Sequence, residues 1–246
     1  MKAIHSISFF FFALLAFVLT SCSPNASAKA KANANATVTD IDGNVYQTVT
    51  IGTQTWMVEN LKTTHYNDGT AIPFVTDNTA WSTLSTPAYC WYNNDAATYK
   101  NKYGALYNWF TVNTGKLAPA GWHVPTDAGW TTLTDYVSAN LGASLGVCKA
   151  LAATTDWTVY SETGSIGCNL TLNNSTGFSA LPGDDRDYSN GTFDGLGRSG
   201  FWWSATDYSK SGAWIRTMSN LSSSSVFRFD YAMQSGFSVR CVRNSQ

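Results

Sequence analysis

Apolar and polar positions change their spacing several times along this chain, and each change marks a predicted element. An unbroken apolar run extends from Ile7 to Leu19 behind Lys2 and His5. From 38 to 62, apolar residues such as Val45, Val49, Ile51, Trp56 and Met57 fall in short runs. Asp42-Gly43-Asn44 and Gly52-Thr53-Gln54 interrupt them, which predicts a small β unit with tight turns. Tyr103, Leu106, Tyr107, Trp109 and Phe110 approximate one helical face, so a first helix is expected there. Trp130, Leu133, Tyr136 and Val137 repeat that spacing. With Thr126 as N-cap and Asp127 in the first turn, they predict a second helix over 127–141. Beyond about 165 the pattern is of short β-branched or aromatic runs between glycines: 177–181, 200–205, 213–218, 226–229 and 237–242. Two helices followed by antiparallel strands give an α+β domain.

Composition sharpens this picture. Charged residues make up 13% of the chain against 44% hydrophobic and 14% aromatic. Polarity therefore comes from Ser, Thr, Asn and Gly, as expected of a loop-rich extracytoplasmic protein. A net charge of −1 with scattered Lys and Arg gives no sign of a nucleic-acid partner. The N-terminal run is short and early for a permanent span and fits a secretory signal. It ends in Leu19-Thr20-Ser21-Cys22, and small residues before a Cys resemble a lipobox. Residues 1–21 are thus read as a lipoprotein signal peptide, Cys22 as the lipidation site, 22–37 as a flexible tether and 38–246 as one domain. The expected place is the bacterial outer membrane, facing side undecided, with membrane contact through the lipid.

Cys90, Cys148, Cys168 and Cys241 remain, and four cysteines outside the cytoplasm allow three disulfide pairings. Cys148–Cys168, which closes one short excursion, is the pairing favoured here. Zinc is disfavoured, because no C-x-x-C occurs and only His65 and His123 lie beyond the signal. Asn93-Asn94-Asp95 and Asp184-Asp185-Arg186-Asp187 are oxygen-rich and could contribute to a calcium site. Asx turns explain them better, so no cofactor is expected. Catalytic inventory is thin: Glu59 and Glu162 are the only glutamates, and His123 reads as a packed, hydrogen-bonded residue.

Seven strings occur in order: VTDIDGNVYQTVTIGTQTWMVENL (38–61), YCWYNND (89–95), YGALYNW (103–109), GWHVPTDAGW (121–130), GFSALPG (177–183), FWWSA (201–205) and GFSVRCVR (236–243). Together they resemble the Fibrobacter succinogenes major paralogous domain family of bacterial surface lipoproteins. The ending also resembles the formylglycine-generating-enzyme group of C-type-lectin-like folds. That resemblance implies two helices against a twisted antiparallel sheet with long irregular loops. Gly129 stands where family members often carry Glu, which removes a carboxylate a catalytic reading would want. The stretch from about 184 to 235 is similar to the variable region of retroelement-diversified proteins, in which Asn, Ser, Asp, Tyr and Phe replace one another between scaffold positions.

The alternation in 213–231 admits two phases. If Trp214, Arg216, Val226 and Arg228 pack inward, then Ile215, Thr217, Phe227 and Phe229 lie exposed; in the reverse phase they are core. The first phase is adopted. Ile215, Thr217, Phe227, Phe229, Asp230 and Tyr231, with Trp203 and Tyr208, are the expected ligand contacts, and Trp91 is a further aromatic to test. Arg216 and Arg228 are expected to bond loop carboxylates or carbonyls. The resulting expectation is non-covalent recognition of a protein or glycan, with no enzymatic activity. The alternatives are an extracytoplasmic enzyme on a formylglycine-generating-enzyme-like scaffold and a structural subunit of an envelope assembly.

Overall fold

The computed structural model describes residues 36–140, 146–222 and 225–244. The signal, Cys22 and nearly all of the tether lie outside the described residues. Among the described residues no helix is long and apolar enough to cross a membrane.

The predicted β unit forms as read. Strands β1 (Thr37–Thr39), β2 (Val45–Ile51) and β3 (Gln54–Met57) make an antiparallel meander. Asp40 closes its first turn by accepting from the amides of Asp42 and Asn44. A short helix α1 (Asn78–Ser82), β4 (Tyr89–Cys90), α2 (Ala96–Tyr103), β5 (Leu106–Tyr107) and α3 (Trp109–Val112) follow. The first predicted helix is therefore misplaced. The chain leaves α2 at Gly104, whose φ of +78° suits glycine and whose Cβ, if present, would meet the Leu61 carbonyl at 2.7 Å. Residues 106–107 are extended, and Asn108 caps the short α3 by accepting from the Thr111 amide.

Strand β6 (Trp122–His123) leads to α4 (Asp127–Asn140), the second predicted helix. Thr126 accepts from the Gly129 amide, as an N-cap should, and Trp130, Leu133 and Val137 form the buried stripe. After α5 (Val147–Leu151) come the hairpin β7 (Asp185–Arg186) and β8 (Phe193–Asp194), the long strands β9 (Ser199–Asp207) and β10 (Gly212–Ser219), then β11 (Phe227–Ala232) and β12 (Val242–Arg243). Residues 177–181 are irregular and contribute one bridge, Ala152 to Ala180.

Two antiparallel sheets organise the molecule, one in the order β1-β2-β3-β12-β6 and one in the order β11-β10-β9. The result is an α+β domain of few helices and curled antiparallel sheets. Strands β9 and β10 of the second sheet are covered on both faces, and neighbouring residues of β9 show it. Trp202 points to a cluster with Trp56, Trp130 and Phe178 beneath α4, whereas Trp203 points to one with Tyr107, Ile215 and Phe237.

Candidate functional site

The site grows from β10, the central strand of the three. Its register sets Thr217 opposite Phe227, Ile215 opposite Phe229, Arg216 opposite Arg228 and Trp214 opposite Asp230. Toward α4, Arg216 Nη1 donates to Asp127 Oδ1 at 2.7 Å, and Nη2 donates to the Asp127 carbonyl and to Thr131 Oγ1. Arg228 reaches the same carboxylate: Nε donates to Oδ1 at 2.9 Å and Nη2 to Oδ2 at 3.0 Å. Its guanidinium lies over the Trp214 ring, 3.3 Å from the centroid. Tyr208 packs edge-on against Trp214 at 4.7 Å. A row of Tyr208, Trp214, Arg228 and Asp127 thereby fixes β11 to the start of α4. The structural roles expected of Arg216 and Arg228 are both met.

Burial of Asp127 acts to raise its pKa. Hydrogen bonds from Arg228 and Arg216, and their charges, outweigh it and hold the carboxyl below its ordinary value. Asp127 is the structural joint that sequence reading missed, since only its helix-start role was legible.

The expected ligand contacts divide. Ile215 and Trp203 are both 0% exposed and Thr217 is buried, so these three are corrected to interior positions. Alternation alone assumed one solvated face, but β10 has α4 on one side and the aromatic core on the other. Trp203 is further fixed by donating from Nε1 to the Tyr107 carbonyl. Trp91 is buried as well. By contrast Phe227 is 46% exposed, Phe229 52% and Tyr208 55%. Phe227 and Phe229 stack at 6.0 Å with ring planes 21° apart. Asp230 is exposed, and Tyr231 is half-buried between Tyr188 and Phe237.

At the C-terminal end of β11 lies an open cleft of about 420 Å³, bounded by Tyr188, Ser209, Ser211, Asp230, Tyr231 and Gln234. Tyr188 belongs to the β7–β8 turn, which Arg186 ties down. Its Nε donates to the Gly191 carbonyl, Nη1 to Val75 and Nη2 to Thr76. Sequence reading saw only oxygen-rich residues there and missed this anchor. A second open cleft, of about 630 Å³, includes Gln54, His123, Thr132, Arg243 and Asn244. His123 is exposed rather than packed, with Nδ1 2.6 Å from Asn244 Oδ1.

Cys148 is a free, buried thiol that donates to the Ser225 carbonyl, so the Cys148–Cys168 pairing is not made. Burial pushes that thiol up to about 12. Lys149 follows it into the interior and donates to the carbonyls of Ser165, Cys168 and Asn169. Burial lowers Lys149 to about 8.

The oxygen-rich loops resolve into turns and a carboxyl pair. Asn93 and Asn94 take left-handed conformations, and Asp95 caps α2. Asp187 Oδ1 accepts from the Ser189 and Asn190 amides. Burial, then the hydrogen bond and charge of Asp185, raise the Asp184 carboxyl far above the carboxylate range. Among the described residues no group of three or more His, Cys, Asp or Glu is placed to hold a metal. Gly142-Ala143-Ser144-Leu145-Gly146 spells G-x-S-x-G, a string the sequence reading passed over. It falls between α4 and α5, whereas a nucleophile elbow needs a strand before it, and residues 141–145 lie outside those described.

Residues 49–243 match the family described as the Fibrobacter succinogenes major domain. The chain belongs to this family. In this Fibrobacter succinogenes major domain the matched region takes in every element from α1 to β12, including the Asp127 anchor and the β11 surface. No curated protein and no solved structure matches the chain.

Proposed function

We propose that this protein recognises a protein or glycan ligand non-covalently, through the aromatic surface of β11 and the cleft at its end. The observation that carries this reading is the stacked pair Phe227 and Phe229, each about half exposed on a strand paired with β10 and tied to α4 through Arg228. Large aromatics left in solvent on an ordered strand need a purpose beyond folding. Aromatic anchors with Ser, Asp and Gln around them have the composition of a recognition site, contributing area at low entropic cost.

Several further parts of the reading belong with it. The signal-like run and Cys22 favour a lipid-anchored envelope protein, placed in the outer membrane. The order of the FWWSA and GFSVRCVR strings favours a C-type-lectin-like scaffold. Retroelement diversification, if it acts here, would be confined to exposed positions. Tyr208, Phe227, Phe229 and Asp230 can change without disturbing the core, whereas a new residue at Ile215 or Trp203 would leave a cavity or a clash. Sequencing the 3′ part of the gene across a population of the source organism tests this. Variation at these four exposed positions with Ile215, Trp203 and Arg216 constant is expected. Equal variation at the buried three contradicts the assignment.

A further inference from the structure

The outer edge of β11 is open, and its bonding phase can be read. The Met233 amide donates to the Ser211 carbonyl at 3.1 Å, so Gly212 and Ala232 face one another as a non-hydrogen-bonded pair. Counting along the strand, Phe227, Phe229 and Tyr231 exchange bonds with β10, while Arg228, Asp230 and Ala232 turn their N–H and C=O groups outward. The Ala232 carbonyl is taken by the Ser235 amide. Among the described residues, Arg228 and Asp230 are left with outward backbone groups that no other strand engages. Open edges of this kind template further pairing unless blocked. Here no proline or bulge blocks β11, and its two charged side chains, Arg228 and Asp230, are of opposite sign.

We infer that a second copy of this chain pairs antiparallel with β11 about a two-fold axis at Phe229. The sequence FRFDY is self-complementary in that register. Arg228 falls opposite Asp230 of the second copy, and Asp230 opposite its Arg228. Both are outward-turned residues, so each pair can exchange two N–H···O bonds. Phe229 meets its own counterpart as a non-hydrogen-bonded pair, and Phe227 meets Tyr231. Centring the axis on Arg228 or on Asp230 would set like charges face to face, which is destabilising. The side-chain charges are available for the pairing. Arg228 uses Nε and Nη2 on Asp127 and keeps Nη1, and no salt bridge engages Asp230 among the described residues.

A two-fold axis normal to the sheet keeps each face continuous. The two β11–β10–β9 sheets become one of six strands, and Phe227 and Phe229 of both copies form one aromatic row. The inference does not rest on ligand recognition, because it uses the outward backbone groups of the strand's edge. The pairing is smaller than a standard interface, so the dimer is expected to be concentration dependent.

The test uses the purified full-length chain. Phe229→Cys should give a disulfide-linked dimer on mild oxidation, because the paired Cα atoms of such a site lie about 4.5 Å apart. Phe227→Cys should not, because it meets Tyr231 and lies several residues from its own counterpart. Asp230→Pro removes an outward N–H and the carboxylate that faces Arg228 of the second copy, but no bond to β10, so it should abolish the dimer in light scattering while leaving the melting temperature of the fold unchanged. Equal cross-linking by the two cysteine variants, or by neither, overturns the proposal. So does a wild-type chain that remains monomeric at every concentration, which would leave the edge to a strand from another protein.

Discussion

Asp127 is the joint on which the candidate surface depends, and removing it gives the sharpest stability prediction. Its carboxylate receives Arg216, whose side chain is 3% exposed, and Arg228, whose side chain is 45% exposed. In Asp127→Ala, Arg216 keeps its charge in a site sealed by α4 and β9, with only neutral oxygens left beside it. Removing one partner of a buried ion pair costs about 3–5 kcal/mol. Asp127 itself is 19% accessible, so water can reach part of the vacancy and the lower end, about 3 kcal/mol, is expected. For a domain of this size that is a drop of about 6–12 °C in melting temperature. Arg228→Ala removes a half-exposed pair and a cation–π contact, so about 1 kcal/mol is expected. Thermal unfolding followed by circular dichroism compares the two. The pH dependence gives a second reading. Because the folded Asp127 is depressed, its contribution is complete above the unfolded carboxylate value of about 4 and is lost as pH falls through the lower folded value. Asp127→Ala should flatten that acid limb. A smaller loss for Asp127→Ala than for Arg228→Ala would refute the reasoning.

Asp184 has the opposite sign: its folded pKa is raised, so stability declines as pH climbs above about 4, and Asp184→Asn should reduce that decline in denaturant titrations at pH 5 and pH 8. Gly104→Ala places a Cβ against the Leu61 carbonyl at a positive φ; a loss of about 3 kcal/mol in chemical unfolding is expected. Cys90, Cys148 and Cys241 are buried thiols raised by burial, so alkylation followed by mass spectrometry should label them only after unfolding. Labelling of Cys148 in the native chain would place it wrongly.

Much of the fold was legible because local chemistry and tertiary structure agree. Asp42-Gly43 and Gly52 punctuate β1 to β3, and the Thr126 cap with its apolar stripe specifies α4. The apolar spacing at 103–110 misled because one glycine conformation, at Gly104, divides a helix from a strand, and spacing does not report φ. Ile215 and Thr217 were misassigned for a different reason. Alternation reports a pleat and not what covers each face, and here both faces of β10 are covered. The exposure of Phe227, Phe229 and Asp230 was read correctly from the phase chosen for the alternation, with no sign in the sequence that β11 is an edge strand. The supports of this surface were not legible. Asp127 and Arg186 act across about 90 and 110 residues of sequence, and only the folded chain brings their partners together.

The central claim is recognition through the exposed aromatics of β11. The most direct measurement is binding of the full-length chain, wild type against Phe227→Ala/Phe229→Ala, to a glycan array and to immobilised envelope proteins. Both positions are half-exposed, so the double variant should keep the wild-type melting temperature to within a few degrees. The account predicts that any target held by the wild type is lost by about 30-fold or more, as for a hot-spot aromatic contributing 2 kcal/mol or more. Undiminished binding by the folded double variant would contradict it.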